Sequence, residues 1–189
     1  MFTGIIEASA DILTKTDVGI VVARPKIFST LHKGQSIAIN GACLTLMRFS
    51  ENEMEFDVVP ETFARTNLGS ATIVNVERAL AANDRFEGHV VQGHVDGTTK
   101  LIDEQQETLG KRLRFALPKE LSPFFIEKGS VCVNGVSLTL ASVASDTFDI
   151  ALIPHTLQET NLGVIHIGDT VNIEADIFAK LLHKWHLGT

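Results

Sequence analysis

The chain has 189 residues, a formal net charge of −7 and 44% hydrophobic residues, with its basic residues scattered. That balance leaves no electrostatic footprint for nucleic acid, and no apolar run approaches the roughly 20 residues that span a bilayer. The opening MFTGIIEASADILTK has no basic n-region and meets Glu7 and Asp11 early, unlike a signal peptide, and Cys43 and Cys132 form neither a disulfide framework nor a CxxC knuckle, as suits a reduced cytoplasmic enzyme or binding protein.

The dominant period is two. Residues 25–32 (PKIFSTLH) predict a short, weak helix before the first strong signal, SIAINGACLTL at residues 36–46, which reads as strand, Asn-Gly turn, strand. Phe56 and Val58 mark a further strand, Pro60 opens a short helix, and Ile73, Val74 and Val76 mark another strand. The polar run AANDRFE (residues 81–87) separates two halves. In the second half, residues 118–125 (PKELSPFF) predict a short helix and SVCVNGVSLTL at residues 130–140 predicts a hairpin. Phe148, Ile150 and Leu152 then mark a strand, Pro154 opens a helix, and Val171 and Ile173 mark the last strand. Residues 176–186 form the one amphipathic helix, with Ile177, Leu181 and Trp185 four apart, Ala179 and Leu182 widening the stripe, and Asp176 as N-cap.

These halves are copies. INGACLTL (residues 39–46) returns as VNGVSLTL (133–140), and VVPETFARTNLG (58–69) returns as LIPHTLQETNLG (152–163), both 94 residues on. VNVE (74–77) returns as VNIE (171–174) after 97, so three residues are inserted between. An in-register duplication predicts two domains and two pockets. About six short strands per half predict an all-β fold of two tandem six-stranded, Greek-key-like closed barrels, since closure removes exposed edges. The expected division is 1–86, 87–175, and a terminal helix at 176–189.

Residues able to carry chemistry cluster where the copies differ. Within EGHVVQGHVDGT (residues 87–98), His89 and His94 are five apart. On a strand they would face opposite ways, with no carboxylate or cysteine at a chelating interval, so no metal site is expected. The glycine before each allows close backbone approach. Free cysteine usually packs as a small hydrophobe, yet the repeat partner of Cys43 is Ser137, and either could donate to or attack a ligand. Asp176 is matched by Ala79, Glu61 by His155, and Lys33 and Lys128 precede matching glycines as ordinary turn lysines do.

MFTGII, NGACLT, PETFARTNLG, GHVVQGHVDG, NGVSLT and VNIEAD together, in order along almost the whole chain, resemble the riboflavin synthase family of the α type. The resemblance implies two closely similar barrels, a C-terminal helix, a homotrimer, and association with lumazine synthase. It implies conversion of two molecules of 6,7-dimethyl-8-ribityllumazine into riboflavin and 5-amino-6-(ribitylamino)uracil, with no cofactor and no metal. It puts substrate contacts at Gly4, Ile5, Ile6, Cys43, Leu44, Thr45, Asp57, Val58, Val59, Pro60, Glu61 and Thr62 for a first pocket. A second would use Gly93, His94, Val95, Lys128, Ser137, Leu138, Thr139, Leu152, Ile153, Pro154, His155, Thr156 and Leu157. Ser36, Cys43, His94, Ser137 and Asp176 match the polar positions used in or near catalysis, with histidine suited to proton transfer. The chain departs from the family in a shorter last helix and in a first copy without the HIGD turn of residues 166–169. A non-enzymatic lumazine or flavin carrier of the same superfamily is the alternative. A flavin barrel of a reductase would require an adjoining GxGxxG unit, which is missing here.

Overall fold

A computed structural model describes residues 1–186 and residue 188. Strands β1 (Ala8–Thr16), β2 (Gly19–Ala23), β3 (Ser36–Ile39), β4 (Ala42–Phe49), β5 (Glu53–Asp57) and β6 (Ile73–Arg78) close a barrel in the order β1-β2-β5-β4-β3-β6. β7 (Gly97–Gln106), β8 (Lys111–Ala116), β9 (Ser130–Val133), β10 (Val136–Val143), β11 (Thr147–Leu152) and β12 (Thr170–Ala175) close a second with the same permutation, every pairing antiparallel. Period two explains the interiors: Ile37, Ile39, Leu44, Leu46, Met54, Phe56, Val74 and Val76 point into the first barrel, and Val131, Val133, Leu140, Phe148, Ile150, Val171 and Ile173 into the second.

Both hairpins turn through Asn-Gly with positive φ at both residues (47° and 79° at Asn40-Gly41; 46° and 85° at Asn134-Gly135), which a two-residue type I′ turn requires. Pro60 and Pro154 begin short helices α1 (Pro60–Arg65) and α2 (Pro154–Glu159), as expected. Thr66 and Thr160 then cap the next turn by accepting from the N–H of Leu68 and Leu162. The inserted residues lie between that turn and the last strand: three residues, 70–72, connect them in the first copy and six, 164–169, in the second.

The repeated asparagines lock the barrels together. Asn67 N–H donates to Asn172 Oδ1 (2.6 Å) and, symmetrically, Asn161 N–H to Asn75 Oδ1 (2.7 Å). Asn75 Nδ2 donates to the Asn134 carbonyl and Asn172 Nδ2 to that of Asn40, at 2.9 and 2.8 Å. Among the described residues no buried side-chain nitrogen or oxygen lacks a partner, as a buried polar network must achieve to be stabilising.

Two expected helices differ. Residues 25–32 form an irregular loop, because the Arg24 guanidinium takes the Phe28 and Ser29 carbonyls (2.6 and 3.1 Å) while Phe28 is buried. Residues 118–125 contain only a 3-10 turn, Ser122–Phe124, since Pro123 has no N–H to donate. The last helix, α3 (Ile177–His186), is capped by Asp176 Oδ1, which accepts from the Phe178 N–H at 2.9 Å. Its apolar stripe lies open in the single chain: Phe178, Leu181, Leu182 and Trp185 are 58%, 55%, 61% and 79% exposed.

Candidate functional site

Where Ile37, Ile39, Leu44 and Leu46 point into the first barrel and Val131, Val133 and Leu140 into the second, the alternate residues point out: Ser36, Ala38, Cys43 and Thr45 on the first, Cys132, Ser137 and Thr139 on the second. These outer faces are met by two irregular arms, residues 1–7 and 88–96. The arms pair with each other: Phe2 N–H donates to the Val91 carbonyl (2.7 Å) and Val91 N–H to that of Phe2 (3.1 Å). Phe2, Val91, Ala38 and Cys132 form an apolar seam between the barrels, with Cys43 at its edge.

Beyond that seam the arms cross. Each touches the opposite barrel before turning into its own. Ser137 N–H donates to the Gly4 carbonyl (2.8 Å), and Cys43 N–H to the Gly93 carbonyl (2.9 Å). Gly4 and Gly93 have φ of 77° and 81°, and a Cβ there would lie 2.6 Å from Ser137 N and 2.5 Å from Cys43 Cβ. Only glycine satisfies both demands. Ile6 accordingly packs on the second core and Val95 on the first. The expected grouping is therefore corrected: Gly4, Ile5 and Ile6 belong with Ser137, and Gly93, His94 and Val95 with Cys43. The segment holding His89 and His94 is also not a strand, so their five-residue spacing says nothing about faces.

Cys43 lines a small cavity of about 210 Å³ with Glu61, Thr62, Arg65, Gly93, His94 and Val95. Glu61 and Arg65 pair at 3.0 Å on its exposed rim. On the other side, Ser137 Oγ lies 2.7 Å from His89 Nδ1, with the direction of donation set by the tautomer. Burial pushes the His89 pKa down, against the upward pull of the Asp176 charge, so its imidazole is neutral at pH 7. Thus Ser137 and His89 meet on one side, and Cys43 and His94 on the other, while Asp176 caps α3 and acts on His89 through its charge.

Other expected residues fall elsewhere. Ser36 opens onto a separate groove of about 790 Å³, with Thr3, Gln35, Arg78 and Arg85, and is not brought into the Cys43 cavity. Lys128 is exposed in the turn before β9, at φ 67°. Leu44, Val58 and Leu152 are 5%, 3% and 2% exposed core residues, so only their backbone is available to a ligand; Leu138 and Leu157 pack partly on the second core. Thr45, Asp57, Val59, Pro60, Ile153, Pro154 and His155 are exposed, while Thr139 is exposed and Thr156 half-buried.

The arms are held by two acids that the sequence reading passed over. Glu77 on β6 accepts from the N–H of Thr3 (2.8 Å) and of Gly4 (3.1 Å). Glu174 on β12 accepts from Gln92, Gly93 and His94 (2.6, 3.0 and 3.0 Å). Burial pushes Glu77 up to about 7 and also raises Glu174, against the pull of these donors. The available signal was the echo VNVE/VNIE, which keeps an acid on the outward face of both last strands.

A family model described as the lumazine binding domain matches twice, over residues 3–79 and 92–176. The chain is 41% identical to riboflavin synthase of Actinobacillus pleuropneumoniae, covering 99% of this chain and 90% of that one. It is also 41% identical to riboflavin synthase of Bacillus subtilis (strain 168), covering 98% and 89%. The solved structure of LumP with 6,7-dimethyl-8-(1'-D-ribityl) lumazine shares the fold at 23% identity and TM-score 0.82, over 93% of this chain and 99% of that one. Two arm-linked barrels with a lumazine binding domain match in each, and near full-length identity to the curated relatives, make this chain a member of the lumazine binding domain family in its riboflavin synthase branch.

Proposed function

We infer that the chain is an enzyme, a transferase with the riboflavin synthase activity its relatives carry: a four-carbon unit moves between two molecules of 6,7-dimethyl-8-ribityllumazine, yielding riboflavin and 5-amino-6-(ribitylamino)uracil. The observation that carries this reading is the pair of equivalent hairpin faces, each covered by an arm and bearing different polar groups, Cys43 with His94 on one and Ser137 with His89 on the other. Two identical substrates must play different parts, donor and acceptor. The reaction begins with loss of a proton from the C7 methyl of one lumazine. The ring stabilises the resulting anion, so the protein's work is proximity and proton transfer. His94 moves the proton, Cys43 and Ser137 polarise ring positions, and Asp176 orients a donor beside neutral His89. Ser36 and Lys128, which do not line the Cys43 cavity, would act on the lumazine held by a neighbouring copy.

That neighbour is part of the proposal. A cavity of about 210 Å³ beside Cys43 is below the roughly 300–1,000 Å³ of sites enclosing an organic ligand, so the space beside Cys43 does not by itself enclose a lumazine. The exposed stripe of α3 supports a homotrimer in which the first barrel of one chain faces the second of the next. Free Cys43 and Cys132 suit the cytoplasm, and association with lumazine synthase would shorten the path of the substrate.

Purified protein given 6,7-dimethyl-8-ribityllumazine alone tests the reading: riboflavin should form at one molecule per two lumazines consumed. Retention of a yellow chromophore without turnover would instead identify a carrier of the LumP kind.

A further inference from the structure

Glu77 and Glu174 are buried acids, 5% and 3% exposed, for which the reaction above has no use. Neither is in an ion pair among the described residues. Their partners are instead runs of backbone N–H on the two arms. At Glu174 the successive N–H groups of Gln92, Gly93 and His94 converge on one carboxylate. The positive φ of Gly93 turns them to the same side, which makes a backbone nest for an anion. Glu77 receives Thr3 and Gly4 in the same way, with the Thr3 hydroxyl adding a contact at 3.3 Å.

The wiring is crossed. Glu174 belongs to the second barrel, but the arm it holds covers Cys43 on the first. Glu77 belongs to the first barrel, but its arm covers Ser137 on the second. We propose that Glu77 and Glu174 are positioning residues, each clamping the arm that completes the pocket on the opposite barrel, so that neither pocket is intact without both barrels. Naming those spaces as lumazine pockets rests on the function proposed above; the clamp itself does not.

The internal duplication supports the assignment. Where the copies meet ligand they diverge: Cys43 against Ser137, Glu61 against His155, and, after each arm glycine, Ile5 against His94. At the clamp they agree, glutamate with glutamate and glycine with glycine. Divided chemistry on a common scaffold is the pattern expected if these acids place backbone rather than react. An apolar side chain in their place would leave several buried N–H groups unpaired.

Cys43 reports on its own arm. Its N–H is bonded to Gly93 and its thiol side is packed there, while Cys132 is 1% exposed and silent. In the full-length oligomer, Glu174→Ala should raise the rate of Cys43 alkylation by iodoacetamide about tenfold or more by local opening, and Glu77→Ala less than about twofold. Amide exchange should quicken at residues 92–94 in the first variant and at residues 3–4 in the second. If either alanine variant does not fold, Glu174→Gln and Glu77→Gln replace them. Glutamine keeps the size but turns an NH₂ against the N–H groups, so the same arm should loosen to a smaller extent. Parent rates of alkylation and exchange in folded variants would overturn the clamp, as would equal loosening of both arms by either substitution. Titration with a lumazine analogue should fall from two sites per chain to one in each variant. Failure of the parent to bind the analogue would sink the lumazine reading, while alkylation and exchange still decide the clamp.

Discussion

At the scale of residues, function divides between groups that diverge between the copies and groups that do not. Cys43 and Ser137 could be picked out beforehand because the duplication is in register and exposes any mismatch. His94 gains its place only through its arm: the exposed imidazole follows Gly93 and joins Cys43 at the same cavity. Replacing it with glutamine, which cannot carry a proton near neutrality, should lower turnover roughly 10²- to 10⁴-fold. Lumazine binding should change little, so kcat falls while KM holds. Turnover near that of the parent would remove His94 from the proton path. His89, by contrast, could not be read as a partner of Ser137, 48 residues away. No local pattern announces a contact made by an irregular arm against another barrel.

Elements were readable wherever a local rule set them. Asn-Gly turns fixed both hairpins, the alternating apolar residues fixed the barrel interiors, and proline placed the starts of α1 and α2. Local rules failed at residues 25–32, where the side chain of the preceding Arg24 captures carbonyls a helix would use, and at the arms, whose partners lie about 80 residues away. Burial of Glu77 also makes the stability of the fold depend on pH, with the arm N–H groups of Thr3 and Gly4 opposing the shift. Glu77 ionises at about 7 in the fold, from an ordinary value of 4.5. A raised pKa means that its contribution is fully present below pH 4.5 and is lost as pH rises through 7. The shift corresponds to roughly 3 kcal/mol. Urea titrations of the parent and Glu77→Gln at one protein concentration should therefore converge by about this amount between pH 4.5 and 8. His89 works in the opposite sense: its lowered pKa favours the fold above its ordinary value, and that part is lost as pH falls. Parallel stability profiles for parent and variant would show that Glu77 is already ionised throughout.

For the whole molecule, the asparagine network and the crossed arms bind the barrels into one unit, while the apolar stripe of α3 is left without cover. Burying Phe178, Leu181, Leu182 and Trp185 would stabilise an assembly by roughly 1.5–3 kcal/mol each. The total is comparable with the roughly 4–15 kcal/mol that association costs, so the helix matters to the oligomer without being sufficient for it. Removing the residues after Asp176 should shift sedimentation toward smaller species, and an unchanged profile would place the contact between barrels. If one working site combines a first barrel and a second barrel from different chains, variants inactive in opposite barrels should complement each other. Cys43→Phe should fill the first pocket and Ser137→Phe the second, displacing His89, and each homogeneous variant should be inactive. When the two are mixed under subunit exchange, verified by mass spectrometry of tagged chains, some interfaces will pair an intact first barrel with an intact second one. Riboflavin formation should then partly return; a mixture that stays inactive despite proven exchange would contradict a site shared between chains.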